Sequence, residues 1–158
     1  MKNFTLIEGV NFNKIRKDIK EAKDANLHSD LNIIFSSNDD ELNRKILEKE
    51  KIDILLLNQS GRKDFLKQRN SGFNHVLAKM AKKNNVSIGI NFDEIVNSHG
   101  INKSKIFGRI RQNIKICNKN KLKMKFIIQN SENQRDIYDL KSLGAVLGMP
   151  TWIVRDLT

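Results

Sequence analysis

Two textures alternate along this chain, and that alternation constrains its fold more than any other feature. Short apolar or β-branched runs recur at Phe4–Val10, Leu31–Phe35, Ile52–Leu57, Val86–Ile90 and Phe126–Ile128. Each is followed by a longer polar stretch with apolar residues at three- and four-residue steps. These are Ile15, Ile19, Ala22 and Ala25; Leu42, Ile46 and Leu47; Phe73, Val76, Leu77, Met80 and Ala81; Ile106, Ile110, Ile114 and Cys117; and Ile137, Leu140, Leu143 and Leu147. Strand then helix, repeated, is the pattern of a parallel α/β sheet. The strands are nearly all apolar, as expected when helices cover both sides of a sheet.

The number of units limits the architecture further. Five units, with a sixth strand expected at Trp152–Val154, fall short of the eight units and roughly 250 residues of a closed barrel. The expected fold is therefore α/β, with parallel strand–helix repeats forming an incomplete or shortened TIM-barrel-like structure; a doubly wound sheet is the runner-up. Residues 1–158 hold one proline, Pro150, and no linker or low-complexity segment, so one domain is expected. Functional loops in such a sheet follow the C-terminal ends of strands. Here those are Ser36–Asp40, Asn58–Gly72, Asn91–Gly100 and Gln129–Arg135.

Charge is distributed unevenly. The chain carries a formal net charge of +11. From Ile95 to Ser131 there is no Asp or Glu, while Lys103, Lys105, Arg109, Arg111, Lys115, Lys119, Lys121, Lys123 and Lys125 fall within it. Those nine, set against +11, leave the rest of the chain at +2. Such a concentration favours a polyanionic partner, nucleic acid or an anionic membrane. On a helix, Ile106, Phe107, Ile110, Ile114 and Cys117 gather on one side, and Arg111, Lys115 and Lys119 form a stripe on the other. Like charges at that spacing repel by a few tenths of a kcal/mol per pair, a cost that a bound polyanion relieves. A second helix over Phe73–Asn84 shows the same design. Phe73, Val76, Leu77 and Met80 face inward, and His75, Lys79 and Lys82 lie opposite. The basic loop before it offers Arg62 and Arg69, whose planar guanidinium groups suit phosphate. A membrane-surface role needs an amphipathic helix with exposed bulky apolar residues, and the apolar faces here are required for a core.

Self-sufficient catalytic chemistry is not visible. The histidines His28, His75 and His99 form no His-x-His pair and no His-Glu-x-x-His motif. Phosphate-binding glycine motifs are missing too. Asp39-Asp40 precede a helix and read as an N-cap with favourable first-turn charge. Cys117, the one cysteine, falls on an apolar helix face, where it reads as a small hydrophobe rather than a nucleophile. A single cysteine excludes an intramolecular disulfide, and a reducing compartment, the cytoplasm, is expected.

Several blocks resemble the archaeal ribonuclease P protein component 3 family, the p30-type subunit. The longest is Ser71-Gly72-Phe73-Asn74-His75-Val76-Leu77-Ala78-Lys79-Met80-Ala81, with Asn84-Asn85-Val86-Ser87-Ile88. Lys51-Ile52-Asp53-Ile54-Leu55-Leu56-Leu57 and Arg62 precede it. Asp40-Glu41-Leu42-Asn43-Arg44, Arg135 and Asp139-Leu140-Lys141-Ser142-Leu143-Gly144-Ala145-Val146-Leu147-Gly148-Met149 agree as well. The likeness runs from about residue 4 to residue 149. It implies a partial or complete barrel related to a phosphoesterase-type (PHP-like) α/β fold. It implies a noncatalytic subunit that helps an RNA remove the 5′ leader from precursor tRNA. The expected partners are ribonuclease P RNA, protein component 2 and, for the holoenzyme, precursor tRNA. Magnesium ions are expected on the RNA and no cofactor on this chain. Relatives usually begin with one or two more strand–helix units and often continue past Gly148-Met149-Pro150. Arg135-Asp136-Ile137-Tyr138-Asp139 also lacks the proline of the family's Arg-x-Pro-x-Asp.

Joined to the charge pattern, the resemblance places RNA on Arg62, Arg69, His75, Lys79, Arg109, Arg111, Lys115 and Arg135, with no catalytic and no metal residue in the chain. The rival is a metal-dependent phosphoesterase or nuclease on a related barrel, with Asp39, Asp40 or His99 as ligands.

Overall fold

The computed structural model describes residues 4–26 and 31–157, so His28 lies outside the described residues. Five parallel strands, β1 (Phe4–Glu8), β2 (Asn32–Ser36), β3 (Ile54–Leu57), β4 (Ser87–Asn91) and β5 (Met124–Ile127), lie side by side in chain order. Between them run α1 (Phe12–Ala25), α2 (Asp40–Lys49), α3 (His75–Lys83), the short α4 (Phe92–Asn97) and the long α5 (Gly100–Asn120). A 3₁₀ turn over Ser131–Asn133, then α6 (Ile137–Leu147) and α7 (Thr151–Arg155), follow β5.

Sequential strand order decides between the two expected architectures. A doubly wound sheet reverses direction at a switch point; this one never does. Crossovers of one hand then put every helix on the same face. The packing agrees. One large core joins Phe35, Leu55, Ile88 and Met124 of the strands to residues from all seven α-helices. Among the described residues, the apolar cluster on the opposite face is Ile34, Ile54, Leu56 and Ile127, with Phe4 and Leu6 beside them, and includes no helix residue. Ile34 and Leu56 are nonetheless fully buried. The apolar strands predict helices on both sides, and the structure corrects this. The second face is filled by the sheet's own side chains, as on the inside of a barrel segment.

Local chemistry explains the helix boundaries. Asn11, Asp39, Asn74, Asn91 and Asp136 each precede a helix and accept hydrogen bonds from its first backbone N–H groups. Part of the abundance of asparagine thus serves as caps. Because Asn74 starts α3 at His75, the inward residues are Leu77, Ala78 and Ala81. Val76, expected inside, is rotated out and 58% exposed. The expected sixth strand is also corrected. Pro150 occupies the N-cap position of α7, and its carbonyl accepts from the N–H groups of Ile153 and Val154. Three apolar residues carry too little period to distinguish strand from helix.

Candidate nucleic-acid interface

The loop between β3 and α3 is the longest connection after a strand end, and two arginines hold it. Arg109 of α5 is 3% exposed. Its Nε donates to Asp64 Oδ1 at 2.8 Å, Nη1 to the Gln59 carbonyl at 2.8 Å and Nη2 to the Arg62 carbonyl at 2.8 Å. Arg62 in turn donates through Nε to the Asn58 carbonyl at 2.7 Å and grips both oxygens of Asp40, at 2.8 and 3.0 Å. Fork-on-carboxylate geometry of this kind fixes orientation as well as charge. Gly72 lets the loop close over this pair. Its φ is +68°, and a Cβ there would stand 2.6 Å from Asp40 Oδ1 and against the Arg62 guanidinium.

Adjacent loops are braced by two carboxylates at the start of α4. Glu94 accepts from the backbone N–H of Gln59 at 2.7 Å and of Ser60 at 3.1 Å. Asp93 accepts from the N–H of Gln129 at 2.8 Å and from Asn133 Nδ2 at 2.7 Å, tying down the loop after β5. Burial pushes the Glu94 carboxyl above its ordinary range, against the two N–H groups it accepts. The Arg109 hydrogen bond holds the Asp64 carboxyl below its ordinary range. Beneath these loops, Asn58 donates to Ser36 Oγ at 3.1 Å and accepts from Asn91 Nδ2 at 2.9 Å, linking the ends of three strands.

This geometry sorts the candidate residues. Arg109 and Arg62 are turned into the protein. The first is buried, and the second has a side chain only 9% exposed. In both, each guanidinium nitrogen donates to a protein acceptor. Arg69, His75, Lys79, Arg111, Lys115 and Arg135 are exposed. Arg69 lies along α5 over Gly108, where a Cβ would stand 2.5 Å from its Nε. Arg69 and Lys115 line two grooves at once, with Gln112 between them. One groove, of about 690 Å³, runs between the β3–α3 loop and the start of α3 and includes His75. The other, of about 760 Å³, runs between α5 and α6 and includes Arg111. Arg111 also reaches the Val146 carbonyl at 3.3 Å. Lys79 and Arg135 lie outside both grooves.

Sequence reasoning misses Gln112. Its Nε2 donates to the Arg69 carbonyl at 3.2 Å and to Ser71 Oγ at 3.3 Å, stitching the loop to α5. No spacing rule announces such a pairing. Asp93 and Glu94 are missed too, although Asn91-Phe92-Asp93-Glu94 carries the capping pattern that could reveal them.

The ligand set of the rival enzyme is not brought together. Asp39 caps α2, accepting from Glu41 N–H at 2.9 Å, and Asp40 is held by Arg62. His99 occupies the N-cap position of α5. Among the described residues, no three of His, Cys, Asp and Glu are grouped so as to hold a metal ion. Burial pushes the Cys117 thiol up to about 12, which leaves it without thiolate character. No described helix is long and apolar enough to cross a membrane.

Comparison with known proteins adds a family. The family model described as RNase P subunit p30 matches residues 2–156. A ribonuclease P protein component 3 of Methanococcus maripaludis is 27% identical over 151 residues, covering 92% of this chain and 59% of the relative. One from Methanocaldococcus jannaschii is 32% identical over 114 residues, covering 70% of this chain and 46% of the relative. The chain thus spans about three-fifths or less of the length of these relatives. A solved structure titled archaeal ribonuclease P with mature tRNA contains a chain of the same fold, with a TM-score of 0.78 at 24% identity. That match covers 96% of this chain and 62% of the other.

Proposed function

The chain belongs to the RNase P subunit p30 family, and from that membership we propose that it is a noncatalytic protein subunit of ribonuclease P. It binds the catalytic RNA and assists removal of the 5′ leader from precursor tRNA. The observation that carries this reading is the ridge of Arg69 and Lys115 between two grooves, flanked by His75 and Arg111. These side chains would neutralise phosphates lying along the ridge and release the counterions condensed on the RNA, which favours association and makes it salt-dependent. Contacts of this kind position an RNA and leave the chemistry elsewhere.

In this reading magnesium ions on the RNA supply the metal chemistry, and the chain contributes no ligand to them. Protein component 2 is the proposed protein partner and the cytoplasm the proposed compartment. The test is cleavage of precursor tRNA by the RNA, with and without this chain and component 2. The chain should raise the rate with RNA present and cleave nothing alone in magnesium. Cleavage by the protein alone would overturn the proposal.

A further inference from the structure

Charge alone does not account for the groove between the β3–α3 loop and the start of α3. Its walls include Phe65 and Val76, both 58% exposed, together with Arg69, His75 and Lys115. Scattered apolar residues on a surface need no explanation, but an exposed aromatic ring, an aliphatic side chain and several basic residues sharing one concavity do. A surface that reads only phosphates has no use for the ring. The backbone that carries the ring is also held in place. The Phe65 N–H donates to the Gln68 carbonyl at 2.9 Å, and Asp64 beside it is fixed by Arg109. Little ordering remains to be done when a ligand arrives.

We propose that this groove accepts an unpaired RNA nucleotide, with its base against Phe65 and its phosphates toward Arg69, His75 and Lys115. The proposal rests on the RNA-binding reading above and names the form of RNA that the site takes. A volume of about 690 Å³ is in the range of a ligand pocket. Bases inside an A-form duplex are stacked and cannot present a face to a side chain, whereas an unpaired base can stack on an aromatic ring flanked by cations. The groove's charges agree with one direction of entry. Lys115 lies on the α5 side, and the carboxylates of Asp40 and Glu41 lie on the α2 side. Arg44 also lines the groove on the α2 side, so that side carries acids and a base together while the α5 side carries Lys115 without an acid. Phosphates therefore belong at the α5 end.

The experiment titrates the whole chain with labelled single-stranded oligouridylate and oligoadenylate and with a duplex RNA of equal length. The variants are Phe65→Ala, Phe65→Tyr and Arg69→Ala, with Phe65→Trp placed on a Trp152→Phe background. Phe65→Ala should weaken single-strand binding about tenfold, the loss of one stacked base, and leave duplex binding unchanged. Phe65→Tyr should restore it. The introduced indole should lose fluorescence on adding single strands and not on adding duplex. Equal losses for single strand and duplex, or no loss in Phe65→Ala while Arg69→Ala still weakens binding, overturn the nucleotide site and leave the RNA-binding reading standing. Unchanged RNA binding by Phe65→Ala with weaker binding of a protein partner would likewise assign the groove to protein. If the unaltered chain binds neither RNA form, the broader reading fails first. Phe65 is exposed, so thermal melts of its variants should match the parent.

Discussion

Arg109 and Lys115 lie on the same helix, yet the fold uses their charges in opposite ways. Arg109 points into the strand-end loops and meets Asp64 and two carbonyls; Lys115 points out and meets solvent between two grooves. The same contrast separates Arg62 from Arg69 within one loop. Arg62 is closed on Asp40, and Arg69 lies exposed over Gly108. The clamp region and the ridge region therefore share a composition and differ in desolvation. A buried guanidinium whose nitrogens each donate to the protein builds shape, while an exposed one is free to neutralise a phosphate and release its counterion. The two are coupled through geometry, because the loop that Arg109 holds is the loop that presents Arg69 and Phe65.

The largest expected effect tests the clamp. Arg109→Ala leaves the Asp64 carboxylate and the Gln59 and Arg62 carbonyls without their donor. Leaving a buried carbonyl without its donor costs about 1–3 kcal/mol, whereas the exposed Asp64 carboxylate can turn to solvent. The denaturation midpoint should drop accordingly, whereas Arg69→Ala, on the surface, should change stability by less than about 0.5 kcal/mol. Equal midpoints for the two variants would erase the distinction between the regions.

Second in size is the ridge itself. Arg69→Ala combined with Lys115→Ala should weaken RNA binding without lowering the melting temperature. The slope of log affinity against log salt should become shallower by roughly 1.4, about 0.7 for each single-strand phosphate that is no longer neutralised. Adding Arg111→Ala should take off a further part, and Arg62→Ala should not alter the slope beyond its effect on folding. An unchanged slope in the double variant would remove the ridge as the place where phosphates bind.

Much of this is legible from residue spacing, and the limits are instructive. Strand–helix alternation yields the five parallel strands, and the apolar positions of α1, α2 and α5 mark their buried faces. The one-sided placement of the helices is not legible, because a strand filled from both sides reads the same whatever fills it. The acid-free run from Ile95 to Ser131 marks the right helix but counts Arg109 with the surface. At roughly 100° per residue, Arg109 lies beside Asn113 and Ile116, on the edge of the apolar stripe rather than with Lys115. Its angle argues for burial and its charge against, and in a bare sequence a charge outweighs an angle. What settles the matter, Asp64 and two carbonyls from a loop more than forty residues earlier, has no local trace.

A subtler variant separates stability from presentation. Gly108→Ala replaces a helical glycine and should stabilise α5 by about 0.5–1 kcal/mol. The added methyl group cannot coexist with Arg69 in its present position, and the flexible guanidinium should swing away. A higher melting point with RNA binding weakened a few-fold is the expected pair of results. Both quantities rising together would show that Arg69 does not need to lie along α5.

The smallest effect concerns protons. Asp64 accepts from Arg109 and from the Asn70 N–H at 2.9 Å, and Arg109 keeps its carboxyl below the ordinary value of 3.8. A depressed carboxyl stabilises the fold above its unfolded value and loses that contribution as the pH falls through the lower, folded one. The β3–α3 loop should therefore stay closed near neutrality and loosen only below about pH 4, where protonated Asp64 releases both donors. Glu94 acts with the opposite sign. Burial raises its carboxyl, so as the pH falls Glu94 takes up its proton before Asp64 does, and the folded state gains rather than loses relative stability in that step. The Asn70 amide resonance, followed from pH 7 downward, reports the difference. It should hold steady through the ordinary carboxylate range and shift below it, and in Asp64→Asn it should not titrate there. A shift centred at or above 3.8 in the parent would mean that Arg109 does not hold Asp64 in solution, and the clamp would lose its anchor in the loop.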